Sequence, residues 1–508
     1  MSLMGVDVGT TGCKALVISD RGAVRAFSYR EYPLLHPQPG RAELDPVEVW
    51  GSIEEVIAEA AGGTPGDPVH AIGVSVQGEA TVPVDRECNH LHNFVITFDE
   101  RTTEQSAWWE KTLGSSTLFE ITGMPLHPMY SINKIMWFQQ HMPKICDRTW
   151  KFLCMEDYVL MKLGAEPTID YSLAARTMAF DLRRRDWSDF ILNKAGVDRA
   201  SLAQLKPSGT IAGSVSQRVA RKLGLPGDTL AVTGGHDQCC GALGAGVIEE
   251  GMAMNATGTS DVLQPVFDEP MLGEAMLASN YCCYPHVKAG MHTCCAFNLT
   301  GGLLLRWYRD TFWQMEMREA ARTGLDVYDV IVEGASQEPS PLYVLPHFVG
   351  SGTPTLDPRS SGAILGLTLS TTRQDVSRAM LDSLNYELKL NVDTLKEVGI
   401  PLRELRAVGG GAKSKRWLQM KADTFGIPVT SLQISEAACL GAALLAGTAA
   451  GAYASVDEGV SQAVRVRDMY TPRSEEHKKY SDRYLVYREI YPVLKGIDKK
   501  YRGFQSSG

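Results

Sequence analysis

The sequence predicts an α/β fold made of two similar halves that grip one shared ligand. Three observations carry this. At 508 residues the chain is too long for one hydrophobic core and needs at least two domains. Two glycine–threonine turns lie about half a chain apart, each behind an apolar strand. They are Asp7-Val8-Gly9-Thr10-Thr11-Gly12-Cys13-Lys14 and Asn255-Ala256-Thr257-Gly258-Thr259-Ser260. Such a turn gathers backbone N–H groups and small hydroxyls at one spot, and the natural anion for that chemistry is a phosphate chain. Third, the strand–turn–strand pattern of the start begins again around residues 244–251, which divides the chain into 1–246 and 247–508.

The opening reads as a β-meander. Residues 4–8, 13–19 and 24–29 are its strands, with turns at 9–12 and 20–22. Asp45-Pro46 gives an N-cap and a first-turn proline, and Val47, Trp50, Ile53 and Ile57 follow at helical spacing. Residues 70–76 and 94–97 are strands. Residues 131–141 form a helix, apolar at Ile132, Ile135, Met136 and Trp137, with Pro143 beyond its end. Residues 230–233 form a strand that runs into Gly234-Gly235-His236-Asp237. Residues 252–255 and 261–266 flank the second turn as the first two strands flank the first. A helix at 300–311 and a short strand at 341–345 follow, the latter entering a proline- and glycine-rich loop at 346–358. Residues 405–408 form a strand that enters Gly409-Gly410-Gly411, and residues 414–425 form the helix that leaves it. The alanine-rich segment 439–448 reads as a buried helix. The tail from Asp457 is charged and carries Tyr470, Tyr480, Tyr484, Tyr487 and Tyr491, which reads as a surface helix on the second half.

Composition narrows the function. A net charge of -9 argues against a general nucleic-acid binder. Anionic ligands must then be held by local donors. No apolar run reaches the roughly 18–20 residues of a membrane span. The eleven cysteines include three adjacent pairs and no CxxC spacing, which reads as buried free thiols in a reducing cytosol rather than a metal site.

Four constellations carry chemistry. Asp7 ends the first strand directly before a phosphate turn, where it would repel the anion unless a cation stood between them; Mg²⁺ is the expected cation. Lys14 returns beside that turn and supplies positive charge. Gly409-Gly410-Gly411 lets a flat ligand approach the backbone, although neither a GxGxxG nor a GxxxxGK[ST] pattern is present. Asp237 stands at a strand end, where ligand sites form in open α/β sheets, and it can take the proton of a substrate hydroxyl. His236 offers the same chemistry; Asp237 is preferred because it needs no shift to be ionised at neutral pH. Gln77-Gly78-Glu79 offers hydrogen-bonding groups suited to polyol hydroxyls.

Together these pieces resemble the FGGY carbohydrate kinases, in the superfamily that also holds actin, hexokinase and the heat-shock ATPases. The stretch 129–137 looks like the family's first signature, and 362–367 with 375–382 looks like its second. Also similar are Asp99-Glu100-Arg101, Asp157-Tyr158, 234–238, Gly258-Thr259-Ser260, 350–358, 409–412 and Ala422-Asp423, in the same order along most of the chain. The resemblance implies two ribonuclease-H-like domains with an interdomain cleft, and Mg-ATP-dependent phosphorylation of a sugar or polyol hydroxyl. It implies Asp237 as general base, and Asp7 with Asp237 beside the metal, directly or through water. It places Thr10, Thr11, Lys14, Gly258 and Thr259 on the phosphates, and Gly302, Gly410, Gly411 and Lys415 on the nucleotide. It places Gln77, Gly78, Glu79, Thr97 and Gln238 beside the substrate.

The departures concern the substrate. Glycerol kinases resemble this chain at Glu79 but carry arginine at the position of Gly78 and tryptophan at that of Thr97. Xylulokinases typically carry methionine and histidine at positions 78 and 79. Small residues at 78 and 97 imply a wider pocket and a substrate larger than glycerol: a pentulose such as xylulose foremost, or a four- to six-carbon polyol or sugar acid. The alternatives are a glycerol or other polyol kinase, a partner-coupled ATPase, and a catalytically silent sugar sensor. The resemblance adds a cytoplasmic enzyme and a homodimer as the common assembly.

Overall fold

The structure is a computed structural model that describes residues 1–505, so the last three residues of the 247–508 half lie outside it. The first half opens with β1 (Ser2–Val8), β2 (Gly12–Ser19) and β3 (Val24–Glu31), an antiparallel meander as expected. Helix α1 (Pro46–Gly62) starts where Asp45 accepts the Val47 N–H, and it buries Val49, Ile53, Val56 and Ile57. Strand β4 (Val69–Val76) then pairs with β1 in parallel. Helix α2 (Ser131–His141) has the predicted bounds. Strands β5 (Ile211–Ser214) and β6 (Leu230–His236) complete a sheet of order β5-β6-β4-β1-β2-β3. Its central strands are covered on both faces, which is why β1, β4 and β6 read as nearly continuous apolar runs. Helix α3 (Asp237–Gly244) follows β6 without a loop.

The second half repeats the plan. Its elements are β7 (Met252–Thr257), β8 (Asp261–Phe267), β9 (Tyr284–Pro285), β10 (His292–Thr293), α4 (Gly302–Phe312), β11 (Glu404–Gly409), α5 (Lys415–Phe425), β12 (Val429–Leu432), α6 (Ala437–Ala449), β13 (Val466–Tyr470) and α7 (Ser474–Gln505). The sheet runs β9-β10-β8-β7-β11-β12-β13, with the further strand Ala296–Asn298 pairing antiparallel with β8. Strand β7 pairs antiparallel with β8 and parallel with β11, as β1 does with β2 and β4. Strand β12 is parallel to β11 and antiparallel to the edge strand β13, as β6 is to β4 and β5. Six positions therefore match, from β5 and β13 to β3 and β10, while β9 and residues 296–298 have no counterpart in the first sheet; β5 precedes β6 whereas β13 follows α6.

Helices α3 and α6 seam the halves. Helix α6 belongs to the second half by sequence but packs against β1, β4 and β6 of the first sheet, and against α3. The two helices cross at glycines. A Cβ on Gly441 would lie 1.9 Å from the Cys240 carbonyl oxygen, and one on Gly244 would lie 1.9 Å from that of Ala437. Only a residue without a Cβ allows this approach. It accounts for the small-residue composition that marked 439–448 as buried.

Two elements differ from the expectation. The tail is not a surface helix alone: Val466–Tyr470 first adds an edge strand to the second sheet, and Tyr480, Tyr484 and Tyr487 of α7 are buried with Leu345 and Tyr386. The strand at 94–97 shortens to Phe94–Val95, paired with Glu43–Leu44, which leaves Thr97 free to turn toward Glu79.

Candidate active site

The first turn is braced by side chains. The Gly9 N–H donates to the Gly12 carbonyl at 3.0 Å and closes it. Tyr32 donates its hydroxyl to the carbonyls of Gly9 at 2.5 Å and Gly12 at 3.1 Å. The Gln77 amide donates to the Gly9 carbonyl at 3.1 Å and accepts from the Thr10 hydroxyl at 3.2 Å. Thr11 is exposed at the tip. Asp7 accepts from Ser75 Oγ at 2.8 Å, and burial raises its carboxyl above the usual range. Lys14 lies opposite Asp7 in the β1–β2 register. Its Nζ donates to Glu436 Oε2 at 2.5 Å, so part of its charge ties the turn to the entry of α6.

The second turn is held by backbone contacts. Gly258 N–H donates to Ser260 O at 2.9 Å and Gly302 N–H to Gly258 O at 2.7 Å. Thr259 and Gly258 are exposed at its tip, and the Thr259 carbonyl accepts from Gly301 at 2.8 Å. The Gly409–Gly411 segment packs on the same strand end: a Cβ on Gly411 would lie 2.7 Å from the Thr257 side chain. Gly410 stands beside it in the same short turn. Lys415 is the first residue of α5 and is exposed. The nucleotide-side positions are thus gathered at one place.

Of the substrate-side positions, Gly78 and Thr97 lie at Glu79, whereas the Gln77 side chain braces the first turn; Glu79 has a left-handed backbone (φ 61°) and is buried. Strained backbone of this kind in a non-glycine residue concentrates at functional sites. Its carbonyl accepts from Lys134 Nζ at 2.5 Å and from Ser131 Oγ at 3.2 Å, both on α2. Its carboxylate accepts from Arg176 Nε at 2.5 Å and from Thr97 Oγ1 at 2.9 Å. Burial alone would raise the Glu79 carboxyl, but the positive charge of Arg176 foremost, with that of Lys134, holds it below the usual range. The Gln238 side-chain oxygen is buried without a partner among the described residues. The expected widening at position 78 is not found. A Cβ on Gly78 would lie 3.1 Å from His236 Nε2 and 3.7 Å from Arg176 Cγ, so these two side chains fill the space that glycine leaves.

Asp237 is the first residue of α3, and its side chain is 28% exposed. Desolvation first, then the facing carboxylate of Asp7, pushes its pKa up to about 8. The preference for Asp237 on the ground that it needs no shift is therefore corrected: with no cation beside it, this carboxyl holds its proton at neutral pH. His236 is shifted the other way. Burial and the nearby Arg176 lower it to about 3, so the imidazole is neutral and a weaker base than the sequence suggested. Its Nε2 lies 3.3 Å from Asp237 Oδ1.

Several residues of the site carry no sequence signal. Arg176, Ser75, Tyr284 and Glu436 arrive from separate elements, and none stands in a motif. Glu156, beside the noted Asp157-Tyr158, accepts from the Gly234 and Asp170 N–H groups, both at 2.8 Å, and so fixes the end of β6.

Paired sheets, a phosphate-type turn on each and a carboxyl between them define a two-domain phosphotransferase of the actin-like ATPase fold. The chain belongs to the FGGY family of carbohydrate kinases, whose N-terminal domain matches residues 2–244 and whose C-terminal domain matches residues 253–450. It is 27% identical to the xylulose kinase of Bacillus subtilis (strain 168) over 99% of both chains. It is 29% identical to the gluconokinase of the same organism over 98% of this chain and 95% of that one. It is 30% identical to the glycerol kinase of Halorhodospira halophila over 88% of each. The fold is that of the ligand-bound xylulose kinase from Lactobacillus acidophilus, with a TM-score of 0.89, 23% identity, and 98% and 99% of the two chains covered. The protein is an ATP-dependent carbohydrate kinase; ATP and a sugar or polyol are its substrates. Among the described residues no helix is long and apolar enough to cross a membrane.

Proposed function

We propose that the kinase phosphorylates a pentulose such as xylulose, with Asp237 as the general base. What carries the base assignment is the place of Asp237 at the junction of β6 and α3, 3.3 Å from His236 Nε2 and within the charge of Asp7; the similarity to the xylulose kinase supports the pentulose. Gln77, Glu79, Thr97 and Gln238 hold the sugar hydroxyls, and the unpartnered Gln238 oxygen is an acceptor waiting for one. Thr10, Thr11, Lys14, Gly258 and Thr259 hold the phosphates, while Gly302, Gly410, Gly411 and Lys415 line the nucleotide. Closing the cleft excludes water from the γ-phosphate. Asp7 and Asp237 fit Mg²⁺: they are two hard oxygen donors, and each has its pKa raised, Asp237 in part by the charge of Asp7. When bound, the ion would neutralise phosphate charge and favour the ionised forms of both carboxyls. The division at 246/247, a cytoplasmic location and a homodimer belong to the same reading.

A sugar acid is the second reading, supported by the gluconokinase relative, whose identity is close to that of the xylulose kinase. ADP release with Mg-ATP across ketoses, polyols and sugar acids separates the two. Asp237→Ala is expected to lose about 100-fold or more in turnover while still binding ATP, the usual worth of a general base. Turnover within about tenfold of the parent would remove Asp237 from that role.

A further inference from the structure

The proposed reaction leaves His236 without a task, yet this buried ring joins the two halves. Its Nδ1 lies 3.2 Å from the Tyr284 hydroxyl on β9 of the second sheet. Tyr284 accepts from Gln264 Nε2 at 2.9 Å, and that nitrogen also donates to Thr293 Oγ1 at 2.8 Å. The Thr293 hydroxyl gives its own hydrogen to the Pro265 carbonyl at 2.6 Å. The Cys295 thiol donates to Gln264 Oε1 at 3.0 Å. These bonds orient the Gln264 amide, with Nε2 toward Tyr284. The Tyr284 oxygen therefore accepts from Gln264, and its hydrogen goes either to His236 Nδ1 or to Cys295 Sγ at 3.1 Å. Nitrogen is the better acceptor, since thioethers and thiols accept weakly. His236 then carries its hydrogen on Nε2, the atom 3.3 Å from Asp237 Oδ1. Gly78 leaves the room in which the ring stands.

We propose that Gln264 and Tyr284 are positioning residues for phosphoryl transfer: from the second half they fix the His236 ring so that its Nε2–H holds Asp237 Oδ1, leaving Oδ2 for the substrate hydroxyl. This rests on the reading of Asp237 as the base. At 3.3 Å the Nε2 and Oδ1 atoms are in contact but not aligned as a hydrogen bond, and catalytic hydrogen bonds are often poorly aligned until the Michaelis complex forms. Tyr284 also stands under the Arg176 guanidinium, 5.4 Å from ring to cation, so one ring touches the supports of both Asp237 and Glu79.

The test is steady-state kinetics of Tyr284→Phe, which keeps the ring and its contact with Arg176 and removes only the hydroxyl. We expect kcat to fall about tenfold with KM for sugar and ATP within about twofold, the pattern of an interaction made in the transition state. His236→Gln, whose amide N–H can reach the place of Nε2–H, should keep about tenfold more kcat than His236→Leu. Adding Tyr284→Phe to His236→Leu should cost nothing further, because coupled residues are non-additive. A parental kcat in Tyr284→Phe, a loss confined to KM, equal His236 variants or an additive double variant would each overturn the proposal. Asp237→Ala run alongside distinguishes the two readings: if it retains turnover the base assignment fails, and if it is inactive the results above judge the positioning role alone.

Discussion

In the first half, the turn after β1 is braced by side chains: Tyr32 and Gln77 bond its carbonyls, Ser75 bonds Asp7, and Lys14 reaches Glu436. In the second half, the turn after β7 sits on glycine packing, and its charge is hidden beneath it. Lys421 of α5, 1% exposed, donates to Asn255 Oδ1 at 2.6 Å, Thr257 Oγ1 at 2.7 Å and Asp261 Oδ2 at 3.0 Å. The topology is the same, and the work is divided. The first half supplies the carboxyls of Asp7 and Asp237, where the proposed proton transfer and cation would need them. The second keeps the Lys421–Asp261 ion pair below the backbone, with Gly258 and Thr259 exposed at the tip of its turn.

Breaking the buried charge on each side sharpens that comparison. Arg176→Met would leave the Glu79 carboxylate buried with only partial compensation, and losing one partner of a buried pair costs about 3–5 kcal/mol. We expect a lower urea midpoint, and in the surviving folded protein a raised KM for sugar with KM for ATP little changed. The reverse pattern would contradict the assignment of Glu79 to the sugar side.

Lys421→Met is the counterpart in the second half. Asp261 keeps the Asn255 Nδ2 and Thr257 Oγ1 donors, at 2.7 and 2.8 Å, so the expected loss is smaller, about 2–3 kcal/mol. The kinetic effect should fall on KM for ATP, measured at saturating sugar, because the strand end that loosens is the one under the second phosphate turn. An effect on sugar KM alone would mean that the two turns do not divide the work.

Gly78→Ala probes a subtler contact. The added methyl meets His236 Nε2 at 3.1 Å, tighter than ordinary packing, and the ring must move by a few tenths of an ångström. Overpacking of this kind costs about 1–3 kcal/mol. Turnover should fall several-fold with the fold intact by circular dichroism; unchanged turnover would show that the His236 position is not critical.

The paired hairpins, the α2 bounds and the buried α6 were legible because their signals are local: a Gly-Thr turn between apolar strands, a helical period, a run of small residues. Helix α3 was missed because Cys239-Cys240-Gly241 has weak helix propensity, and its packing on α6 overrides that. Strand β13 was missed because Val466-Arg467-Asp468-Met469-Tyr470 is polar enough to pass for tail; it is an edge strand with one ladder partner. Among candidate site residues, those at strand ends and turns stood out in the sequence. Arg176 and Tyr284 were not, since only tertiary approach brings them to Glu79 and His236. The inference from Gly78 to a wide pocket failed for the same reason: the sequence shows a missing side chain and not the neighbour that fills the space.

A pH-dependent test addresses the cost of holding Asp237 at its place in the fold. Its pKa is about 8 in the folded protein against 3.8 as the ordinary value. Between these values the folded state holds a proton that the unfolded state has lost, so the contribution of this group to stability falls as pH rises from about 4 to about 8 and is level above that. The slope for one proton is at most about 1.4 kcal/mol per pH unit. Asp237→Asn removes the term. In metal-free buffer with chelator, the melting temperature of the variant should exceed that of the parent by a margin that widens from pH 5 to pH 8, reaching a few degrees. Added Mg²⁺ should shrink the margin by stabilising the ionised parent and not the variant. A margin that stays constant with pH would mean that Asp237 is ionised without a cation, and that the charge of Asp7 does not raise it.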